Sequence, residues 1–65
     1  MFEAIQEILN DTRFSYAHLN IESDEHGKLI ARLNADGNRY ATATGDDLAN
    51  ILQEVERQCK VLIGD

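Results

Sequence analysis

Most of the side chains that could do chemistry in this 65-residue chain are carboxylates. Glu3, Glu7 and Asp11 recur every four residues, which on a helix places carboxylates about 6 Å apart along one ridge. A second acidic group follows later in the chain: Asp46, Asp47 and Glu54. Such a spacing is similar to that of successive phosphates along a nucleic-acid strand, so these residues predict a surface that binds a basic groove. An ordinary solvated helix face is the alternative interpretation.

Histidine and cysteine do not indicate a metal site or a nucleophile. The histidines are His18 and His26, and the cysteine, Cys59, falls on an apolar helical stripe. A structural zinc ion requires four ligands, and a thiol among apolar side chains has a raised pKa and is inert. The turns at Asp24 and Asp36 lack the alternating oxygen ligands and closing Glu of a calcium loop. We therefore predict no enzymatic activity, no metal and no cofactor.

Three strands are predicted between the two acidic groups of residues. Their predicted ranges are Phe14 to Ser23, Lys28 to Asn34 and Asn38 to Thr44. The turns between them read Asp-Glu-His-Gly and Asn-Ala-Asp-Gly, the pattern of a type I turn followed by a left-handed Gly and a G1 bulge.

These turns predict the pairing of the strands. Ser23 should lie opposite Leu29, and Ala31 opposite Ala41. Both hairpins then place the same set of side chains on one apolar sheet face: Ala17, Leu19, Ile21, Leu29, Ala31, Leu33, Ala41 and Ala43.

A helix is predicted on each side of the meander. Phe2 to Asn10 carries one apolar stripe, and a longer stripe runs from Leu48 to Leu62, with Gly64 ending the helix. Thr44 is expected to cap the second helix with Asp47 in a capping box. Glu56 is expected on its solvent side, four residues before Lys60.

These elements predict one domain, residues 1–65, with an α+β fold. It is a two-layer helix–three-stranded antiparallel meander–helix (αβββα) with both helices on one sheet face.

The opposite sheet face has a mixed composition and no remaining element to cover it. Its side chains of types favoured at protein interfaces are Tyr16, Ile30, Arg32 and Tyr40. This face is the alternative interface. It would make the chain a small structural or oligomerisation module that contacts itself or another protein.

The charge balance narrows the partner classes. Twelve Asp and Glu against six Lys and Arg give a net charge of −6, which repels nucleic acid and anionic lipid and attracts basic protein surfaces. The same charge is also ordinary for a small soluble domain. A single Cys and the lack of a long apolar run predict a cytoplasmic protein without membrane contact. The mixed sheet face predicts a monomer or a weak homodimer.

In size, acidity and helix–strand–helix order the whole chain resembles the small acidic anti-CRISPR proteins of phages, in particular a type I-C inhibitor. The resemblance implies an inhibitor in a bacterial host cell that blocks target DNA binding by DNA mimicry. Its implied partner is a CRISPR effector complex. The family supplies no residue pattern, so the acidic residues named above remain the candidate contacts on their spacing alone.

Overall fold

The computed structural model describes residues 1–11 and 16–64 of the chain. Its elements in order are α1 (Glu3–Asn10), β1 (His18–Ser23), β2 (Leu29–Asn34), β3 (Tyr40–Gly45) and α2 (Leu48–Leu62). The strands form one antiparallel sheet in the order β1-β2-β3. The predicted αβββα arrangement is therefore confirmed. The beginning of the first predicted strand, at Phe14 and Ser15, lies outside the described residues.

One hydrophobic core joins both helices to the same sheet face. Helix α2 packs across β3 and β2, and α1 packs against α2. Alanines keep the sheet face low, so the helix layer approaches it closely. The buried residues are Ala4, Ile5, Ile8, Ala31, Leu33, Ala35, Ala41, Ala43, Ile51, Val55 and Cys59. No helix in the described part of the chain has both the length and the apolar character needed to cross a membrane.

The first hairpin has the predicted register. Ser23 pairs with Leu29, and the Asp24 carboxylate accepts hydrogen bonds from the backbone N–H groups of His26 and Lys28, both at 2.8 Å. Gly27 has a φ of 82°, the left-handed conformation that the turn requires. The Asp24 side chain and the left-handed Gly27 together form the predicted turn.

The second hairpin is shifted by two residues from the prediction, which was wrong. Ala31 pairs with Ala43 rather than Ala41, because the turn centres on Gly37 and is closed by the Asp36 carboxylate. That carboxylate accepts from the N–H groups of Asn38 at 3.1 Å and Arg39 at 3.0 Å. The strand pairing therefore extends to Ala35, whose N–H donates to the Arg39 carbonyl at 2.8 Å.

The shift preserves the faces of the sheet. Side chains alternate with a period of two, so a displacement of two residues leaves every apolar residue on the face predicted for it. Only the cross-strand neighbours change: Arg32 lies opposite Thr42, and Tyr40 lies opposite Asn34.

Strand β1 extends beyond the cover of the helices. Ile21 belongs to the apolar face, yet its side chain is 42% exposed because α2 lies over β3 and β2. The predicted pairing of Ile21 with Ala31, which places Ile21 on this face, is confirmed, and the helices leave Ile21 partly uncovered. The fold therefore leaves an apolar side chain exposed at the β1 edge of the sheet.

Helix α2 is capped three residues later than predicted, at Asp47 instead of Thr44. Thr44 belongs to β3, and Asp47 is the N-cap itself, accepting a hydrogen bond from the Ala49 N–H at 3.2 Å. The capping box with Thr44 was therefore wrong. The predicted end is confirmed: the helix stops at Leu62, and Gly64 adopts a φ of 86°.

Candidate functional site

The groups most capable of covalent or metal chemistry are apart from one another. Cys59 is buried in the core, where burial and, to a smaller extent, the negative charge of Glu56 raise its pKa to about 11. His26 lies in the first turn and His18 on the open sheet face. Among residues 1–11 and 16–64, no three His, Cys, Asp or Glu side chains come together to hold a metal ion.

The acidic residues of α1 lie in three different environments. The Glu3 carboxylate accepts a hydrogen bond from the N-terminal amine at 2.9 Å. That bond, together with the backbone N–H of Glu3, lowers its pKa. Glu7 is exposed, and the described residues provide it with no ion pair. Asp11 follows the helix as its C-cap residue and is half-buried. Part of the predicted ridge is therefore neutralised locally, and Glu7 presents its charge to solvent.

The acidic residues of α2 also have separate roles. Asp46 is exposed just before the helix, and Asp47 caps its first turn. Glu54 is bound by the Arg57 guanidinium at 2.6 and 2.9 Å and by the Gln58 amide at 2.8 Å. Arg57 thus forms an ion pair with the carboxylate three residues before it in the helix. Glu54 is the least available of the predicted contacts.

The contacts of Glu54 predict its titration. The hydrogen bonds from Arg57, followed by the one from Gln58, lower the pKa of Glu54 from 4.5 to about 2. The depressed pKa means that the Glu54 contacts stabilise the fold fully above pH 4.5 and lose that contribution as the pH falls towards 2. We expect the side-chain carboxyl NMR signal of Glu54 to titrate near pH 2. In the Arg57→Gln variant it should return towards its ordinary range.

Arg39→Gln is the matched control for that titration, since it removes the guanidinium that pairs with Asp36 at 3.4 Å on the second turn. The midpoint of Glu54 should not move in this variant. An equal shift in both variants would show that general charge, and not the Arg57 hydrogen bonds, sets the pKa of Glu54.

The open sheet face contains a shallow groove of about 540 Å³. Arg32 and Tyr40 of the predicted alternative interface line it. Tyr40 is 66% exposed, and Arg32 forms no ion pair with any described carboxylate. The groove is completed by His18, Asn20, Leu33, Asn34 and Thr42. It combines one cation with neutral hydrogen-bonding groups and an aromatic ring, a composition suited to contact with a protein surface.

The other two residues of the predicted alternative interface, Tyr16 and Ile30, are not part of this groove. Tyr16 is 85% exposed, and Ile30 is half-buried; neither lines the groove. The sequence analysis did not single out His18 and Asn34 as groove residues. The observed register explains this, because pairing of Tyr40 with Asn34, and of Asn34 with His18, forms a cross-strand row that the predicted register did not contain.

Glu56 is the most consequential residue that the sequence analysis misplaced. It is buried, and its carboxylate accepts hydrogen bonds from the N–H groups of Ala4 at 2.9 Å and Ile5 at 3.0 Å. The prediction of a solvent-side pair with Lys60 was wrong. A signal was present: Glu56 lies four residues after Leu52 and three before Cys59, both on the apolar stripe, and the side chain of Phe2 at the N-cap of the first helix cannot accept a hydrogen bond.

Comparison with known proteins identified no relative of this chain. The chain matches no family model, no curated protein and no solved structure. The surfaces described above are therefore interpreted from their own chemistry.

Proposed function

We propose that this chain is a non-enzymatic, acidic binding domain that docks on a basic, nucleic-acid-binding surface of a larger protein. The supporting observation is the distribution of ion pairs. Arg57 and Arg39 pair with Glu54 and Asp36, whereas the described residues supply no cation to Glu7 or Asp46. With a net charge of −6, these unpaired carboxylates favour encounter with a cationic site.

The proposed target is a CRISPR effector complex, on the resemblance of size, acidity and element order to small phage anti-CRISPR proteins. The inhibitor would occupy the basic channel that receives target DNA, in the cytoplasm of a bacterial host. Both helix-associated acidic groups contribute to this proposed contact: Glu3, Glu7, Asp11, Asp46, Asp47 and Glu54. Among them Glu7 and Asp46 are the most informative to change, because neither caps a helix nor forms an ion pair among the described residues.

The test is competition with labelled target DNA for a purified type I-C effector. We expect the wild-type chain to displace the DNA, and Glu7→Lys and Asp46→Lys each to weaken the competition about tenfold. Competition should also fall as salt rises, because exposed charges are screened.

Glu25→Lys is the matched control, since it makes the same charge reversal at an exposed turn residue. If it weakens competition as much as the other two reversals, net charge alone acts and no docking surface exists. Failure of the wild-type chain to bind the effector would overturn the proposed target.

The open sheet face carries a second candidate function, contact with a protein through the groove around Arg32 and Tyr40. The exposed Tyr40 ring and the Arg32 guanidinium, which pairs with no carboxylate in the described part of the chain, favour it. The same competition assay separates the two candidates. Loss of binding in Arg32→Ala and Tyr40→Ala, with Glu7→Lys and Asp46→Lys unaffected, would identify the sheet face as the working surface.

A further inference from the structure

The two edge strands of the sheet, β1 and β3, differ in whether their outward backbone groups are hydrogen-bonded. On β3, the Gln58 side chain acts as a substitute strand: its Oε1 accepts from the Thr42 N–H at 3.0 Å, and its Nε2 donates to the Thr42 carbonyl at 2.9 Å. Both outward backbone groups of Thr42 are satisfied in this way. A further strand would have to displace Gln58 in order to pair there.

Strand β1 has the other edge, and its outward groups can be identified from the pairing. The Asp24 N–H donates to the Lys28 carbonyl at 2.9 Å, so the even-numbered residues of β1 bond to β2. The N–H and C=O groups of Leu19, Ile21 and Ser23 therefore point away from the sheet. Within residues 1–11 and 16–64, no backbone partner bonds to them.

The side chains of β1 do not protect this edge. The strand His18–Ser23 contains no Pro and no Lys, residues that commonly blunt an exposed edge. Its Ile21 side chain is 42% exposed beside the unpaired backbone. An unpaired backbone edge next to an exposed aliphatic side chain is a template for a further strand.

We propose that a second copy of this chain pairs antiparallel with β1, about a two-fold axis at Asn20, to form a six-stranded sheet. In this register Leu19 of each copy lies opposite Ile21 of the other, and Glu22 lies opposite His18. Each copy thus supplies an apolar residue to meet an apolar residue on one face. On the other face it supplies an acid to meet an imidazole.

The alternation of outward groups excludes every register in which the two-fold axis falls between two residues. Only odd-numbered residues of β1 present their backbone to the partner, so an odd residue must pair with an odd residue. Centring the axis on Ile21 satisfies this rule but places Leu19 opposite Ser23 and leaves Glu22 opposite Asn20. Centring it on Leu19 also satisfies the rule but places Ile21 opposite Ala17 and His18 opposite Asn20. The register centred on Asn20 is therefore the most complementary of the three.

The two-fold axis is perpendicular to the sheet, so both helix layers lie on one side and both open faces on the other. His18 and Asn20 line the groove of each copy and also belong to the pairing strand. The two grooves would consequently meet at the dimer junction. Like charges of −6 on each copy oppose association, so added salt should strengthen the dimer. This response is opposite to that expected for docking on a basic surface.

Sedimentation equilibrium tests the dimer. We expect wild type to associate reversibly and Ile21→Lys to raise the dimer dissociation constant about tenfold or more, since Lys blunts a strand edge. Val61→Lys is the matched control, because it makes the same charge change at an apolar residue of α2 that is 67% exposed. It should leave association intact. A monomeric wild type, or equal weakening in both variants, would overturn the proposal.

Disulfide trapping tests the register. In the proposed pairing the two Asn20 Cα atoms are about 4.5 Å apart, within the range of a disulfide of about 4.4–6.8 Å. Asn20→Cys should form a covalent dimer in a glutathione redox buffer, whereas Thr42→Cys, on the edge closed by Gln58, should not. Cross-linking of Thr42→Cys alone would place the interface at β3 and overturn the proposal. Without cross-linking of Asn20→Cys the register is wrong, even if Ile21→Lys dissociates the dimer.

Discussion

Replacing Glu56 by Ala is expected to lower the free energy of unfolding by about 2–4 kcal/mol. The Glu56 carboxylate is buried and accepts from the N–H groups of Ala4 and Ile5, two of the unpaired donors at the start of α1. No side chain of α1 itself caps this end, since Phe2 occupies the N-cap. The alanine variant would leave both donors buried without an acceptor. Urea denaturation followed by circular dichroism measures the loss.

The negative charge of Glu56 adds to the effect because it lies at the positive end of the α1 dipole. Glu56→Gln retains one acceptor oxygen but directs an amide donor at the same N–H groups, so its cost should lie between wild type and alanine. Glu7→Ala is the matched control on an exposed face of α1, and should change stability by less than about 0.5 kcal/mol. Equal stability of the Glu56→Ala and Glu7→Ala variants would contradict the tertiary cap.

Helix α1 depends on this contact because of its length. It has eight residues, too few for an independent helix in water. Docking through Ile5 and Ile8, together with the Glu56 hydrogen bonds, supplies what the local sequence does not. The Glu3 and Glu7 carboxylates project from this helix, so the Glu56 cap also determines whether the proposed acidic surface is displayed on a fixed element.

Local signals made most of the fold predictable. The apolar stripes located both helices to within a residue or two, and the Asp24–Gly27 turn fixed the first hairpin because a single Asx residue was placed to close it. The second turn offers two competing Asx residues, Asn34 and Asp36, before one Gly. Their local preferences are similar, so the choice depends on tertiary packing, here the complete burial of Ala35.

The candidate surfaces were less predictable, because they depend on contacts distant in sequence. Glu56 and Ala4 are 52 residues apart in the chain, and no periodicity within α2 indicates that an acid will be buried against another helix. Gln58 is similar: its two bonds to Thr42 require the packing of α2 beside β3. The spacing of Glu3, Glu7 and Asp11 showed where the acids lie on α1. The spacing did not show which of these carboxylates would pair with a positively charged group of the same chain.

Truncating Leu33 to Ala is expected to cost about 3–4 kcal/mol of unfolding free energy. Leu33 is completely buried and is one of four large side chains in the core that are almost fully shielded, together with Ile8, Val55 and Cys59. Its neighbours on the sheet face include Ala31 and Ala41, whose methyl groups cannot move to fill the space left by an isobutyl group. The cavity would therefore persist beneath α2.

Leu48→Ala makes the same chemical change at a position that is 44% exposed at the start of α2. It should cost less than about 1 kcal/mol, since it removes less buried surface and Ala favours a helix slightly more than Leu. Urea denaturation of both variants measures the difference, with an unchanged dependence on denaturant showing that the unfolded states are comparable. Equal costs for the two truncations would mean that the sheet face is not sealed by α2, and the alanine-lined core would then require another explanation.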